Sequence, residues 1–404
     1  MHRVAITGIG VISCLGHDIE CVGDALRSGR SGIVVDEQRQ KIGFRSPLTG
    51  QIGNFDMSIL SRKQRKSMTD FAVWTYATAR DALTMAGLSD DDIANEQTGL
   101  LYGCDSSCIA AIEQVDALRE KGETKAIGSG HIFRSMTSVV TMNLNTLLQT
   151  RGACWSLSSA CSSGGHAIGQ AADLIRLGRQ ERMLCGGAQE VNWESMCSFD
   201  GLGAFSTRID DPAAASRPFD AERDGLVPGG GAATIILERY DFAEKRGATI
   251  LGEVLGYGFS SDGGQLSVPS DDGMSRAMRM ALDESGLAAS EIDYYCAHAT
   301  STPAGDAAEA KNIHAVFGPR TPPISALKAM TGHELWMAGA SQVVYSTIMA
   351  LKGFIAPSIN FENPCEASVG LNMIRETIPQ APRKVLCNSA GFGGTNAALV
   401  LNFG

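Results

Sequence analysis

Ala153-Cys154-Trp155-Ser156-Leu157 runs straight into Ser158-Ser159-Ala160-Cys161-Ser162-Ser163-Gly164-Gly165, and this stretch decides the fold. The first five residues read as a short buried strand, and the glycine-containing segment from about Cys161 to Leu177 reads as a helix. A strand feeding directly into a helix is the repeating unit of an α/β sheet. The junction is also chemically loaded. A cysteine at a helix start sits where unpaired amides and the helix dipole favour a thiolate, and small neighbours leave room for a substrate and for backbone amides to bind an oxyanion. A buried structural cysteine is the competing reading, and it suits most of the other cysteines in this chain of 404 residues.

Working outward, Arg3–Ile12 reads as a buried strand ended by glycines, as do the shorter Gly99–Tyr102 and Arg182–Gly186. Phe71–Gly87 carries apolar residues at helical spacing, with Gly87 as the stop. A faint internal echo follows. Gly229-Gly230-Gly231 leads into Ala232–Leu237, and Gly391-Phe392-Gly393-Gly394 leads into Thr395–Leu401. Two glycine turns feeding similar strands suggest two similar halves, although chance is the competing explanation. Glu238–Gly247 is charged and predicted helical, and Ile250–Gly258 opens a new strand. The expected division is therefore 1–249 and 250–404.

Composition narrows the class. Hydrophobic residues make up 44% and charged residues 19%, which is a folded, core-rich chain. A net charge of −10 argues against a general nucleic-acid binder. Eleven scattered cysteines without a Cys-x-x-Cys pair fit reduced thiols in a cytoplasm. Val4–Ser13 is too short and too glycine-broken for a secretory core, and no apolar run is long enough to span a bilayer. Two motifs mislead. Gly8-Ile9-Gly10 lacks the third glycine of a dinucleotide loop, since Ser13 stands there, and His333-Glu334 lacks the second histidine of a zinc protease, since Met337 stands there. No metal and no cofactor are expected.

Two further segments carry chemistry. His298-Ala299-Thr300-Ser301-Thr302-Pro303 follows the apolar Ile292–Ala297, which places His298 at a strand end where α/β active sites gather. Thr300 and Thr302 could cap the next turn or bind a polar ligand tail. Lys328-Ala329-Met330-Thr331-Gly332-His333 sets a lysine and a histidine on either side of a turn that Gly332 permits. Each histidine alone has a structural reading. One cysteine and two histidines together suit an acyl thioester followed by stabilisation of an enolate.

These segments, in this order, resemble the β-ketoacyl-acyl carrier protein synthases of the thiolase fold, especially the elongating class I enzymes. The likeness runs from Val4-Ala5-Ile6-Thr7-Gly8 through Arg217-Pro218-Phe219-Asp220 and Phe354–Asn360 to Asn388-Ser389-Ala390-Gly391-Phe392-Gly393-Gly394-Thr395-Asn396. It implies two thiolase-like halves in a five-layered α-β-α-β-α core. It also implies an acyltransferase of type II fatty acid biosynthesis, a cytoplasmic homodimer that extends an acyl chain by two carbons from malonyl-carrier protein. Cys161 would hold the acyl chain, and His298 and His333 would assist decarboxylation. Lys328 and Glu309 would be a supporting charged pair. The amides of Cys161 and Phe392 would form the oxyanion hole, with Phe392 as a gate, and Thr300 and Thr302 would touch the pantetheine arm. Arg62, Lys63, Arg65 and Lys66 form a cationic cluster whose default reading is a solvated helix face; the resemblance makes it the docking patch for an acidic acyl carrier protein. A ketosynthase of a specialised polyketide or polyene pathway is the nearest alternative, and a non-catalytic partner subunit the more distant one.

The chain departs from the family at three places. Ala299 stands for a glycine, where a positive φ would be strained. Trp336 stands among residues that are usually small, beside His333. Ala390 stands for a common phenylalanine. Complementary size suggests that Trp336 fills the space near Ala390. Cys108 and Ile109 are candidates for the acyl pocket near a dimer interface.

Overall fold

The computed structural model describes all 404 residues, Met1–Gly404. Ten strands form one continuous sheet: β1 (Val4–Ile12), β2 (Thr98–Gly103), β3 (Cys154–Leu157), β4 (Arg182–Gln189), β5 (Gly231–Arg239), β6 (Gly252–Ser261), β7 (Tyr294–Cys296), β8 (Ile324–Ser325), β9 (Lys384–Gly391) and β10 (Thr395–Asn402). Their spatial order is β8-β7-β9-β10-β6-β1-β5-β4-β2-β3. The first half thus runs third, second, fourth, fifth, first from its outer edge, and the second half repeats that order from the opposite edge. In both halves the second strand is parallel to the third and fourth, while the fifth is antiparallel to its neighbours. The halves join through a short antiparallel pairing of Ala5 with Glu253 and Ile6 with Gly252. The two glycine turns of the sequence echo lead into β5 and β10, the fifth strand of each half, so the echo is a true repeat.

Eight helices of four residues' height or more matter for the layers and the site: α1 (Asp70–Met85), α2 (Cys108–Lys121), α3 (Val139–Leu148), α4 (Ser163–Arg176), α5 (Trp193–Leu202), α6 (Gly273–Ser285), α7 (Pro303–Phe317) and α8 (Ala338–Lys352). α4 and α8 lie between the two half-sheets in the largest apolar core, with Ile168, Ile175, Val343 and Ile348 fully buried. α1 and α3 cover the outer face of the first half, and α6 and α7 that of the second. The result is the five-layered α-β-α-β-α arrangement.

Glycines set the layer spacing. A Cβ at Gly8 or Gly10 would lie 2.1 Å from the carbonyl oxygens of Ala82 and Thr78, so this pair lets α1 rest directly on β1. Gly256 and Gly258 do the same for α6 on β6, facing Ala281 and Ala277. The apparent nucleotide motif Gly8-Ile9-Gly10 is therefore a packing device, repeated in the other half. Helix α1 begins and ends close to expectation, with Gly87 just beyond it at φ +66°. The charged segment after β5 differs. Glu238 and Arg239, read as helical, still belong to the strand, and only Tyr240–Lys245 coils.

Glu238 stays in the strand because its carboxylate completes a buried network. It accepts from Thr7 on β1 at 2.7 Å and from Arg182 on β4 at 3.1 Å, and pairs with Arg246. Burial alone would raise its pKa, but these donors hold it below the ordinary glutamate value. Replacement Glu238→Ala leaves the buried Arg182 unpaired and is expected to cost about 3–5 kcal/mol, read as a fall in the urea midpoint. A depressed carboxylate stabilises above its unfolded pKa and loses that contribution as pH falls through the folded value. The difference between wild type and variant should therefore be full at neutral pH and shrink below about pH 4.

Candidate active site

Three strand or helix ends meet at one cavity. Cys161 sits in the tight turn Ala160–Ser162 between β3 and α4, His298 follows β7, and His333 follows the short helix Lys328–Thr331. The cysteine turn is locked by its serines. Ser163 Oγ donates to the Ala160 carbonyl at 2.6 Å, the Ser159 amide donates to Ser163 Oγ at 2.8 Å, and Ser162 Oγ donates to the Ser159 carbonyl at 2.7 Å. These bonds hold Ala160 at φ +45°, a conformation L-residues rarely adopt. Gly391 lets β9 press on the turn, since a Cβ there would lie 2.9 Å from the Cys161 amide nitrogen.

The thiol is governed first by burial, which pushes it up to about 12. Lys328 and the amides of Cys161 and Phe392 pull in the opposite direction. Burial therefore opposes the thiolate stabilisation expected from the turn and the helix start. Desolvation outweighs the turn's amides, and the resting group is a neutral thiol. The amides of Cys161 and Phe392 both act on the sulfur electrostatically, and both residues line the cavity.

The two imidazoles stand perpendicular, at 85°, with centroids 5.2 Å apart. Burial, reinforced by Lys328, holds both well below the ordinary histidine value, and His333 further lowers His298. Both are neutral at physiological pH. His333 Nδ1 accepts from the Leu335 amide at 3.3 Å, so its proton resides on Nε2. The main chain of His333 is pinned on both sides, its amide donating to Val227 at 2.6 Å and its carbonyl accepting from Gly229 at 2.8 Å. Gly332, at φ +69°, makes this turn possible. His298 Nδ1 is buried without a partner.

Glu309 on α7 is the hub behind His298. Its carboxylate accepts from the His298 amide at 2.8 Å, the Ala299 amide at 2.6 Å, the Tyr295 hydroxyl at 2.8 Å and Asn388 Nδ2 at 2.9 Å. Lys328 is buried, and desolvation lowers its pKa against the pull of Glu309 and Glu334. It makes no ion pair with either carboxylate. Lys328 and Glu309, the supporting charged pair expected from sequence, interact through space without an ion-pair contact, Lys328 as a buried cation and Glu309 as a hydrogen-bond acceptor. Thr302 caps α7 by accepting from the Gly305 amide at 3.2 Å, and Thr300 and Thr302 share a 2.9 Å hydroxyl bond.

Cys161, His298, His333, Thr300, Thr302, Glu309 and Phe392 all line a cavity of about 320 Å³. Lys328 stands behind it. Arg62, Lys63, Arg65 and Lys66 lie elsewhere, on the surface in a helix capped by Ser61, and none of them forms an ion pair. Phe392 is 41% exposed and stacks on Phe199 of α5, with centroids 5.9 Å apart.

Two expectations about departures resolve here. Ala299 is unstrained, and the positive φ falls on Ser301, at +69°, whose amide is held by Asp306 at 3.0 Å. Trp336 does not fill the space beside Ala390. It packs with Cys161, Met196, Phe205, Leu226 and Leu335, whereas Ala390 belongs to the outer core with Phe219 and Met274. Cys108 opens α2, and its amide donates to Glu190 at 2.9 Å. Sequence reading missed Asn388, Tyr295 and Phe199. Asn388 and Tyr295 sit on strands flanking Glu309, and no local pattern marks them.

The family model of the β-ketoacyl synthase N-terminal domain matches residues 1–243, and that of the C-terminal domain matches residues 251–362. The chain is 41% identical to 3-oxoacyl-[acyl-carrier-protein] synthase 1 of Haemophilus influenzae, over 99% of this chain and 98% of that protein. A β-ketoacyl synthase crystal structure from Burkholderia phymatum superposes with a TM-score of 0.94 at 34% identity, each chain fully covered. A ketosynthase of the type II polyketide assembly AntDE:AntF, solved with its acyl-carrier protein, superposes with a TM-score of 0.88 at 28% identity and 99% coverage of both.

A protonated resting thiol has a readable consequence. Alkylation of Cys161 by iodoacetamide, followed by peptide mass mapping, is expected to accelerate continuously from about pH 7 to about pH 10 with no plateau. A plateau near neutrality would show a thiolate instead.

Proposed function

The chain belongs to the β-ketoacyl synthase family, and we propose on that premise that it is an elongating 3-oxoacyl-[acyl-carrier-protein] synthase of fatty acid biosynthesis. The observation that carries this reading is the convergence of one buried thiol, two neutral imidazoles and two backbone amides on a single cavity. Residues 1–249 supply the nucleophile and residues 250–404 both histidines.

In the first step the Cys161 sulfur attacks the thioester of an acyl-loaded carrier protein. The bond from carbonyl carbon to carrier sulfur breaks, the carrier leaves as a thiol with the proton that Cys161 gave up, and the acyl group rests on Cys161. The amides of Cys161 and Phe392 hold the oxygen of the tetrahedral intermediate. A malonyl-loaded carrier then places its arm against Thr300 and Thr302. Its carbon–carboxylate bond breaks, carbon dioxide departs, and the electron pair forms an enolate whose oxygen faces the two imidazoles. Neutral histidines act here as hydrogen-bond donors, and His333 is preset for this because Nε2 carries its proton. The enolate carbon attacks the acyl carbonyl, and the Cys161 sulfur leaves with its electron pair. Acylation removes the proton that burial favours on the resting thiol, and the cation of Lys328 favours its loss.

Carrier recognition falls to the uncompensated cations Arg62, Lys63, Arg65 and Lys66, which suit an acidic partner in a protein of net charge −10. A second copy of the chain is the occupant proposed for the outer edge of β3. That edge is unpaired, and Trp155 on it is 46% exposed. Eleven free cysteines fit a cytoplasmic setting. No helix is long and apolar enough to cross a membrane.

Two experiments test this reading. With malonyl- and acyl-loaded carrier protein, Cys161→Ala is expected to abolish both acylation and condensation. His333→Ala should still be acylated at Cys161 but lose condensation by about 10²–10⁴-fold. Equal loss of both steps in His333→Ala would remove the histidine from the enolate role. Charge reversal at Lys63 and Lys66 is expected to raise KM for carrier-bound substrates by roughly tenfold while sparing small pantetheine thioesters, and the effect should fade as salt rises.

A further inference from the structure

The sulfur of Cys161 lies between two different environments. On one side is the open cavity with both histidines, Thr300 and Thr302. On the other is a filled apolar cluster of Met196, Phe205 and Trp336, reached through Leu226 and Leu335, which belong to the cluster and also line the cavity, as does Phe199 beside them. During condensation the cavity has to admit the malonyl arm, and the acyl oxygen has to face the amides of Cys161 and Phe392. The remaining direction for an acyl chain on Cys161 is into the filled cluster.

Its largest member is also its most firmly held. Trp336 is 7% exposed and its indole Nε1–H donates to Ser106 Oγ at 3.1 Å. Ser106 Oγ in turn donates to Glu190 Oε1 at 3.1 Å, and Glu190 is fixed by the Cys108 amide at 2.9 Å and Asn192 Nδ2 at 2.9 Å. The main chain of Trp336 is tied to Gln189 Oε1 at 3.4 Å. Met196 and the leucines can change rotamer at little cost, whereas displacing the indole breaks this chain of hydrogen bonds and leaves a buried N–H unpaired. Phe199 closes the remaining side, its ring 6.4 Å from the indole.

We propose that Trp336 is a specificity-determining residue that limits the acyl group on Cys161 to a short chain, because its anchored indole occupies the space a longer chain must enter. The proposal rests on the reading of Cys161 as the acyl carrier of a condensing enzyme. Long saturated chains are excluded sterically, while short acyl groups fit beside the sulfur without moving the indole.

The test is the rate of Cys161 acylation by butanoyl- and dodecanoyl-loaded carrier protein, followed by intact-protein mass spectrometry. The ratio of the two rates on one preparation is independent of its folded fraction. Wild type is expected to favour butanoyl by roughly tenfold or more, the worth of a methylene or two in an apolar pocket. Trp336→Ala should shift the ratio toward dodecanoyl by at least roughly that factor, Trp336→Leu by less, and Ser106→Ala in the same direction by freeing the indole. Wild type that takes dodecanoyl as fast as butanoyl overturns the proposal, as does an unchanged ratio in Trp336→Ala and Trp336→Leu alike. Wild type acylated by neither donor, nor by any intermediate length, would overturn the condensing-enzyme reading itself and this proposal with it.

Discussion

The site depends on one backbone contact at the centre of the molecule. Where α4 and α8 cross between the half-sheets, a Cβ on Gly339 would lie 2.4 Å from the Gly165 amide nitrogen, and one on Gly164 would lie 2.9 Å from that of Ala340. Only glycines let two helix starts approach so closely. Cys161 lies just before α4 and His333 just before α8, so this contact sets the cysteine beside a histidine from the other half of the chain. Gly103 extends the constraint to the sheet, since a Cβ there would lie 2.4 Å from the Gly164 nitrogen. The approximate twofold repeat of the fold therefore has a chemical result: equivalent helix starts from each half share one cavity.

Burial then decides the protonation states. Thiol and imidazoles are all desolvated, and the nearby buried cation is Lys328, which disfavours protonation of either histidine. Glu309 does not neutralise Lys328 through contact. It spends its lone pairs on two main-chain amides and two side chains, which fixes the turn after β7 and with it the direction of His298. The separation of roles is useful. A carboxylate bonded to an imidazole would favour the imidazolium, whereas one bonded to the main chain behind it positions a neutral ring.

Much of this was legible in the chain. The strand–cysteine–glycine-helix junction at Ala153–Gly165, the strand-end His298 and the turn at Gly332-His333 all carry local signals, because helix starts and sharp turns constrain residue type within a few positions. The repeat was also visible at Gly229–Gly231 and Gly391–Gly394. A second copy of the signal passed unread: Gly8-Ile9-Gly10 and Gly256-Tyr257-Gly258 are equivalent packing pairs, recognisable only when the facing helix is known. What the sequence could not show was contact across layers. The complementary sizes of Trp336 and Ala390 suggested one shared space, but they lie in separate cores, because residues adjacent in an active-site list need not share a face. Ala299 likewise signalled strain at the wrong residue, since the turn places its left-handed conformation two positions later at Ser301.

The aromatic side chains tie the two sides of the sulfur together. Phe199 is nearly parallel to Phe392 on the cavity side and to Phe205 on the filled side, at 22° and 9°, and it also meets Trp336 at 49°. One ring therefore touches Phe392, the cavity wall and the apolar cluster around Cys161. Close-packed rings transmit displacement because there is no slack to absorb it. Phe392 is the most exposed member of the row, at 41%. Phe199 on α5 is thus the ring shared by the cavity wall and the filled cluster, and its neighbour Trp336 is held in place by the hydrogen bond to Ser106.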